Sequence, residues 1–148
     1  MCSETSCASP SETSSFELIG NEISGTSYDV AHVKWGDGAR MPTLAEGEEL
    51  INNCSFTAGT YNGVKGNYLT GPNGNSIFFP FAGFWTSGTI YLCYEGSRGL
   101  FWTGTYREGN RGMYSYRLGF NHSFGEGRGS CDFEERNEGY SVRPVKDK

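Results

Sequence analysis

Glycine interrupts this chain so often that no long helix can run through it. It supplies 22 of 148 residues, about twice the ~7% of an ordinary protein, and each glycine inside a helix costs roughly 1 kcal/mol. The chain must turn often and bring backbones close together, which excludes an all-helical fold. Its length suits a single domain able to bury a core without metals or disulfides. With aromatics at 15%, that core is expected to be built on Phe, Tyr and Trp.

One segment does read as a helix. Thr43 is a good N-cap, Glu46 follows three residues later, and Leu44, Gly47, Leu50 and Ile51 fall on one helical face. In such a capping box the hydroxyl accepts a backbone N–H and the carboxylate reaches back to the cap. Elsewhere the pattern is extended. The spacing predicts strands over 16–23, 28–35, 64–70, 76–81, 89–94, 100–105, 113–120 and 139–145. In 28–35, Tyr28, Val30, His32 and Lys34 alternate with Asp29, Ala31, Val33 and Trp35. Gly71-Pro72-Asn73-Gly74-Asn75 separates two of the runs, and Asn-Gly between extended segments signals a hairpin. Residues 121–138, with Gly125, Gly127 and Gly129, show no clear period and read as a long loop, a suspect for function. Residues 1–15 are Ser/Thr-rich and read as a disordered or loosely attached tail, leaving 16–148 as one domain. Strands, one helix and then many strands predict an α+β domain with a mostly antiparallel sheet.

The charge balance narrows the partners. Twelve Lys and Arg against seventeen Asp and Glu leave a net −5, a poor match to nucleic acid, which is bound by displacing counterions with basic groups. No apolar run approaches the ~18 residues of a membrane span. The first fifteen residues lack the basic and then apolar segments of a signal peptide. Five cysteines, Cys2, Cys7, Cys54, Cys93 and Cys131, show no Cys-x-x-Cys spacing. The odd count leaves at least one thiol unpaired, and buried or idle thiols are expected over a zinc site. The two histidines suggest no catalysis either: His32 is expected to be structural, and no local signature joins His122 to Cys93 or Cys131. Gly125-x-Gly127-x-Gly129 precedes no helix and no Lys-Ser/Thr pair, so it reads as a flexible loop and not a phosphate cradle. No catalytic residue, metal or cofactor is expected.

Several segments together resemble one family. They are Arg40-Met41-Pro42-Thr43 with Glu46 and Leu50; Asn62-Gly63-Val64-Lys65-Gly66; Thr70 through Gly83; Phe101-Trp102-Thr103-Gly104-Thr105; Leu118-Gly119-Phe120-Asn121; and Gly139-Tyr140-Ser141-Val142-Arg143-Pro144-Val145. They resemble the fibrobacter major paralogous domain over about 28–145. That resemblance implies a C-type lectin-like fold with one or two helices and long irregular loops. The same scaffold is similar to the variable proteins of diversity-generating retroelements, in which adenine-directed copying errors diversify a C-terminal coding segment. The stretch 106–136 is crowded with the residues AAC codons can become, Arg, Gly, Tyr, Ser, Asn, His, Asp and Cys. Glu108, Glu126, Glu134, Glu135 and Met113 lie outside that set, so either those positions are fixed or the segment is not diversified. The lectin sugar-site signatures Glu-Pro-Asn, Gln-Pro-Asp and Trp-Asn-Asp are absent from the sequence, and Pro72-Asn73 reads as a turn.

The resemblance implies a ligand-binding protein at a cell surface, outside the cell or on a virion, with a protein or cell-surface partner and a monomer favoured. Trp102, Tyr116, Leu118, Phe120, Tyr140 and Val142 are then the scaffold. The outward, variable ligand-binding surface is Tyr106, Arg107, Asn110, Arg111, Tyr114, Arg117, Asn121, His122, Glu126, Arg128, Ser130 and Asp132. Tyr and Arg suit recognition because one brings contact area with few torsions and the other a planar fork of donors. Two other readings stay open: a structural surface or pilus-tip module, and an enzyme of the formylglycine-generating type, for which Cys131 lacks the second cysteine.

Overall fold

Thr43 and Glu46 form the capping box that the sequence spells. The Glu46 N–H donates to Thr43 Oγ1 at 3.3 Å, and the Thr43 N–H donates to Glu46 Oε2 at 2.9 Å. The helix they start, α2, spans Leu44–Asn53. Arg40 donates to both carboxylate oxygens of Glu46, at 2.6 and 2.8 Å. Those donors hold the Glu46 carboxyl down at about 2, against the upward push of burial. The structure, a computed structural model, describes residues 20–88, 91–109, 112–121 and 129–147. The expected tail at 1–15 lies outside them.

A shorter helix, α1, spans Val30–Trp35, where the alternation predicts a strand. Asp29 decides the outcome. Its buried carboxylate accepts from Ala31 N at 2.7 Å and His32 N at 3.2 Å, capping the helix, and from Gly25 N and Met41 N at 2.8 and 2.7 Å. Burial pushes this carboxyl up, but the four N–H donors outweigh it and hold it below its usual range. Of the helix only Ala31 is buried, so the apolar alternation of 28–35 came from exposed residues.

The described strands form four small antiparallel sheets, giving an α+β fold dominated by antiparallel pairing. β1 (Ala39–Arg40) pairs with β10 (Val145–Lys146). β2 (Ser55–Tyr61), β3 (Val64–Thr70) and β4 (Ser76–Pro80) form a meander. Asn62 and Gly63, both at positive φ (48° and 82°), make its first turn, the conformation a two-residue hairpin loop requires. The second turn is the expected one: the Asn75 N–H donates to Asn73 Oδ1, and Gly74 N to Gly71 O. β5 (Phe84–Trp85) pairs with β6 (Leu92–Cys93). The last sheet has the order β7 (Arg98–Tyr106), β8 (Tyr114–Asn121), β9 (Gly129–Glu135).

One loop expectation and two strand expectations are corrected. The 121–138 loop contains β9, and its remaining centre, 122–128, lies outside the described residues. The run 139–145 makes only single bridges, Gly139 to Trp85 and Ser141 to Phe101, before β10 begins. The described part of 16–23 contributes one bridge, Glu22 to Thr105, and the buried Ile23.

The main core joins the two three-stranded sheets and α2. Leu69, Phe79, Phe81, Phe101, Leu118 and Phe120 are buried together, with Leu50, Ile51, Phe56 and Cys131 packed against them. Phe79 lies 4.6 Å from Phe120 and 5.1 Å, edge-on, from Phe101, ring centre to ring centre. Gly47 lets α2 approach β8: a Cβ there would stand 2.5 Å from Leu118 Cδ2. A second cluster holds Ile23, Ala31, Met41 and Tyr106, with Trp102 and Val142 against it. Among the described residues no helix is long and apolar enough to cross a membrane.

Candidate ligand-binding cavity

Successive side chains on a strand point to opposite faces, and β8 uses this strictly. Leu118 and Phe120 enter the core, while Arg117, Gly119 and Asn121 face away from it. Register extends that second face across the sheet. Arg98 and Leu100 of β7 lie opposite Asn121 and Gly119, and Ser130 and Asp132 of β9 lie opposite Gly119 and Arg117. Two passing segments wall it in. The Thr86 hydroxyl donates to Glu138 Oε1 at 3.0 Å. Trp85 and Gly139 exchange backbone hydrogen bonds at 3.0 and 2.6 Å. Phe84 meets Tyr140 edge-on at 5.4 Å.

Between sheet and wall is a cavity of about 350 Å³, with Arg117, Asn121, Ser130, Glu134, Glu138 and Tyr140 among its lining. Gly119 makes room for the guanidinium, since a Cβ there would lie 2.5 Å from Arg117 Nη1. The Arg117 side chain is 14% exposed, and its Nη2 stands 3.6 Å from Glu134 and 3.8 Å from Asp132, at ion-pair distance but too long for hydrogen bonds. Burial, with Glu134 adding to it, pushes the Tyr140 hydroxyl up to about 12, so it stays protonated at neutral pH. Three buried polar atoms of lining residues have no hydrogen-bond partner: Arg117 Nε, Asn121 Oδ1 and Glu138 Oε2. Orphaned buried groups of this kind are rare and costly in folded proteins.

The expected recognition surface is therefore divided. Arg117, Asn121, Ser130 and Asp132 share the cavity face. Tyr114 and Arg107 do not; they gather around Phe133 on the opposite side, Tyr114 edge-on at 5.8 Å and the Arg107 guanidinium 3.6 Å above the ring. Tyr106 is not a surface residue. It is 7% exposed in the second core cluster, with the Arg136 guanidinium 4.2 Å over its ring and donating to its hydroxyl. Asn110, Arg111, His122, Glu126 and Arg128 lie outside the described residues. Of the expected scaffold residues, Leu118 and Phe120 are core, and Trp102 lies tilted against Tyr140 with ring centres 4.4 Å apart.

Glu134, Glu138 and Arg98 were missed. Glu134 had a signal: Ser130-Cys131-Asp132-Phe133-Glu134 alternates polar and apolar residues, the period of a half-buried strand. Glu138 had none, because it reaches the site through one backbone bridge.

His32 lies exposed on α1. Cys54, Cys93 and Cys131 carry free thiols. Cys131 points to the core face, and burial pushes its thiol up to about 11, leaving little thiolate at neutral pH. Among the described residues no group of three or more His, Cys, Asp or Glu is placed to hold a metal ion. Comparison with family models, with curated proteins and with solved structures returns no match.

Proposed function

We propose that this chain is a ligand-recognition protein with a C-type lectin-like fold, and that it binds through the cavity face of β7–β8–β9. The observation that carries the reading is the convergence there of Arg117, Asn121 and Ser130 in the lining of a hollow of about 350 Å³. A concave site with a few convergent polar groups on a rigid scaffold is how small clefts recognise their ligands. The lectin-like assignment draws on the motif resemblance, with the antiparallel sheets, the two helices and the β1–β10 pairing in keeping with it. On this reading the chain belongs with the variable proteins of diversity-generating retroelements, acts at a cell surface or on a virion, and is no enzyme.

Two experiments test it. Ser130 is exposed and lines the cavity, so Ser130→Trp should block the mouth without touching the core. Arrays of purified surface proteins should bind the parent and lose about tenfold or more in affinity with the variant, at an unchanged melting temperature. Equal binding by both would sink the cavity assignment. For the variable-protein assignment, DNA flanking the coding segment should carry a near-identical repeat differing at adenines. Its absence would favour a structural surface module.

A further inference from the structure

The meander of β2, β3 and β4 turns Leu69 and Phe79 into the core. Its other face carries Tyr61 opposite Val64 and Tyr68 opposite Phe78. Two glycines let the rings lie down on the sheet. A Cβ on Gly59 would stand 2.9 Å from Tyr68 Cε2, and one on Gly66 would stand 2.5 Å from Phe78 Cζ. Phe78 lies 4.9 Å from Tyr68 and 5.7 Å from Tyr61, ring centre to ring centre. Tyr61 and Val64 are left 56% and 48% exposed. Over these residues runs a groove of about 630 Å³, within the range of about 300 to 1,000 Å³ of small-molecule sites.

Arg143 is the sole charged residue lining that groove. Its Nη1 donates to the Phe78 carbonyl at 2.8 Å, which seats the cation against the residue in the middle of the aromatic platform. Its Nε and Nη2 make no hydrogen bond and are not among the fully buried unpartnered atoms, so both reach the surface. Arg40 and Arg117 each stand at ion-pair distance from two carboxylates. Among the described residues no carboxylate stands so near Arg143, and burial alone pulls its pKa below the usual value. A half-buried cation without an anion, beside an uncharged aromatic wall, complements a molecule with one negative end and a flat apolar body. We infer that this groove binds a small aromatic monocarboxylate, its ring stacked on Tyr61, Tyr68 and Phe78 and its carboxylate on Arg143. The groove lies on a different sheet from the cavity face, so this site stands or falls apart from the proposed function.

The test is NMR titration of the whole isotope-labelled chain with phenylacetate, hydrocinnamate and naphthoate, each set against its amide and against hexanoate. At least one aromatic acid should bind and shift the backbone amides of 61–68 and 76–79. Its amide should bind about tenfold more weakly, the worth of a hydrogen bond to a charged group, and hexanoate should also bind more weakly. Tyr61→Ser removes an exposed ring and should weaken the acid at an unchanged melting temperature. Arg143→Gln keeps an N–H for the Phe78 carbonyl and loses the charge. It should weaken the acid about tenfold and the amide not at all, a split that a merely structural role would not produce. Ser130→Trp, in the other cavity, should change neither. The inference is overturned if no aromatic acid binds, if the amide or hexanoate binds as tightly as the acid, or if the shifts fall on β8 and β9 instead. It is also overturned if Arg143→Gln melts as the parent does and holds the acid as tightly. Should Arg143→Gln fail to fold, the acid and amide comparison and Tyr61→Ser decide.

Discussion

On one side of β8, Leu118 and Phe120 are 2% and 1% exposed and sit among aromatic rings and the α2 helix. On the other side, one residue away in sequence, Arg117 and Asn121 hold buried polar atoms with nothing to bond. The same strand thus carries a face packed into the core and a face that lines the cavity. Stability comes from the first, and under the proposed function recognition belongs to the second. A strand can separate the two jobs because its period is two, whereas a helix would spread them around a cylinder.

Substitutions on the two faces should therefore behave in opposite ways. The largest effect is expected from Phe120→Ala, which removes a ring from the centre of the core and should cost about 3–5 kcal/mol in denaturant unfolding. A loss below about 1 kcal/mol would show that the aromatic face is not the stabilising one. Gly47→Ala comes next. Crowding Leu118 costs about 1–3 kcal/mol and better helix propensity returns about 1, so thermal melting should register a net loss near 1 kcal/mol; stabilisation instead would mean that α2 does not press on β8.

Cys131 reports the dryness of the core face by chemistry. Its thiol is raised from the ordinary 9.0 to about 11. The thiolate is the reactive form, so between pH 7 and 8 its alkylation should run roughly a hundredfold slower than that of a free thiol. The rate should climb as the pH rises toward 11 or once denaturant opens the fold. Mass spectrometry after timed alkylation measures this, and fast labelling at neutral pH would place Cys131 in water. The smallest effect, with the reverse sign, is expected from Asn121→Leu. It removes an orphaned acceptor whose burial costs about 1–3 kcal/mol, so melting should hold steady or rise, while on the proposed function capture of a surface protein should weaken. A marked drop in melting would mean that Asn121 supports the fold.

How far these faces were readable in the sequence differs from element to element. The capping box at Thr43 and Glu46 and the Asn73-Gly74 turn are local devices, complete within a few residues, and both stand in the structure as expected. Helix α1 was misread because its cause is not local. Asp29 is held by Gly25 and Met41 as well as by the helix it caps, and no periodicity reports such a hub. Strand β9 was legible, but glycines crowd the segment before it and hid a clean alternation of five residues. Tyr106 was misplaced because the resemblance put 106–136 in the variable stretch, whereas plain alternation sets it on the same side of β7 as Trp102, with which it shares the second cluster. Arg117 and Asn121 were expected on a strand and Ser130 and Asp132 on a loop; the pairing of β8 with β9 brings the four onto one face. The unmet hydrogen bonds of Arg117 and Asn121 required coordinates.

Gly119 is the spacer beneath the guanidinium. Replacing its hydrogen with even a methyl group would push Arg117 aside, so this one position sets the room under the guanidinium, while on the proposed function its neighbours at 117, 121 and 130 govern what the hollow takes. On that reading depth and taste are written in separate codons, and a lineage could exchange one ligand for another by editing the second set without ever filling the bowl.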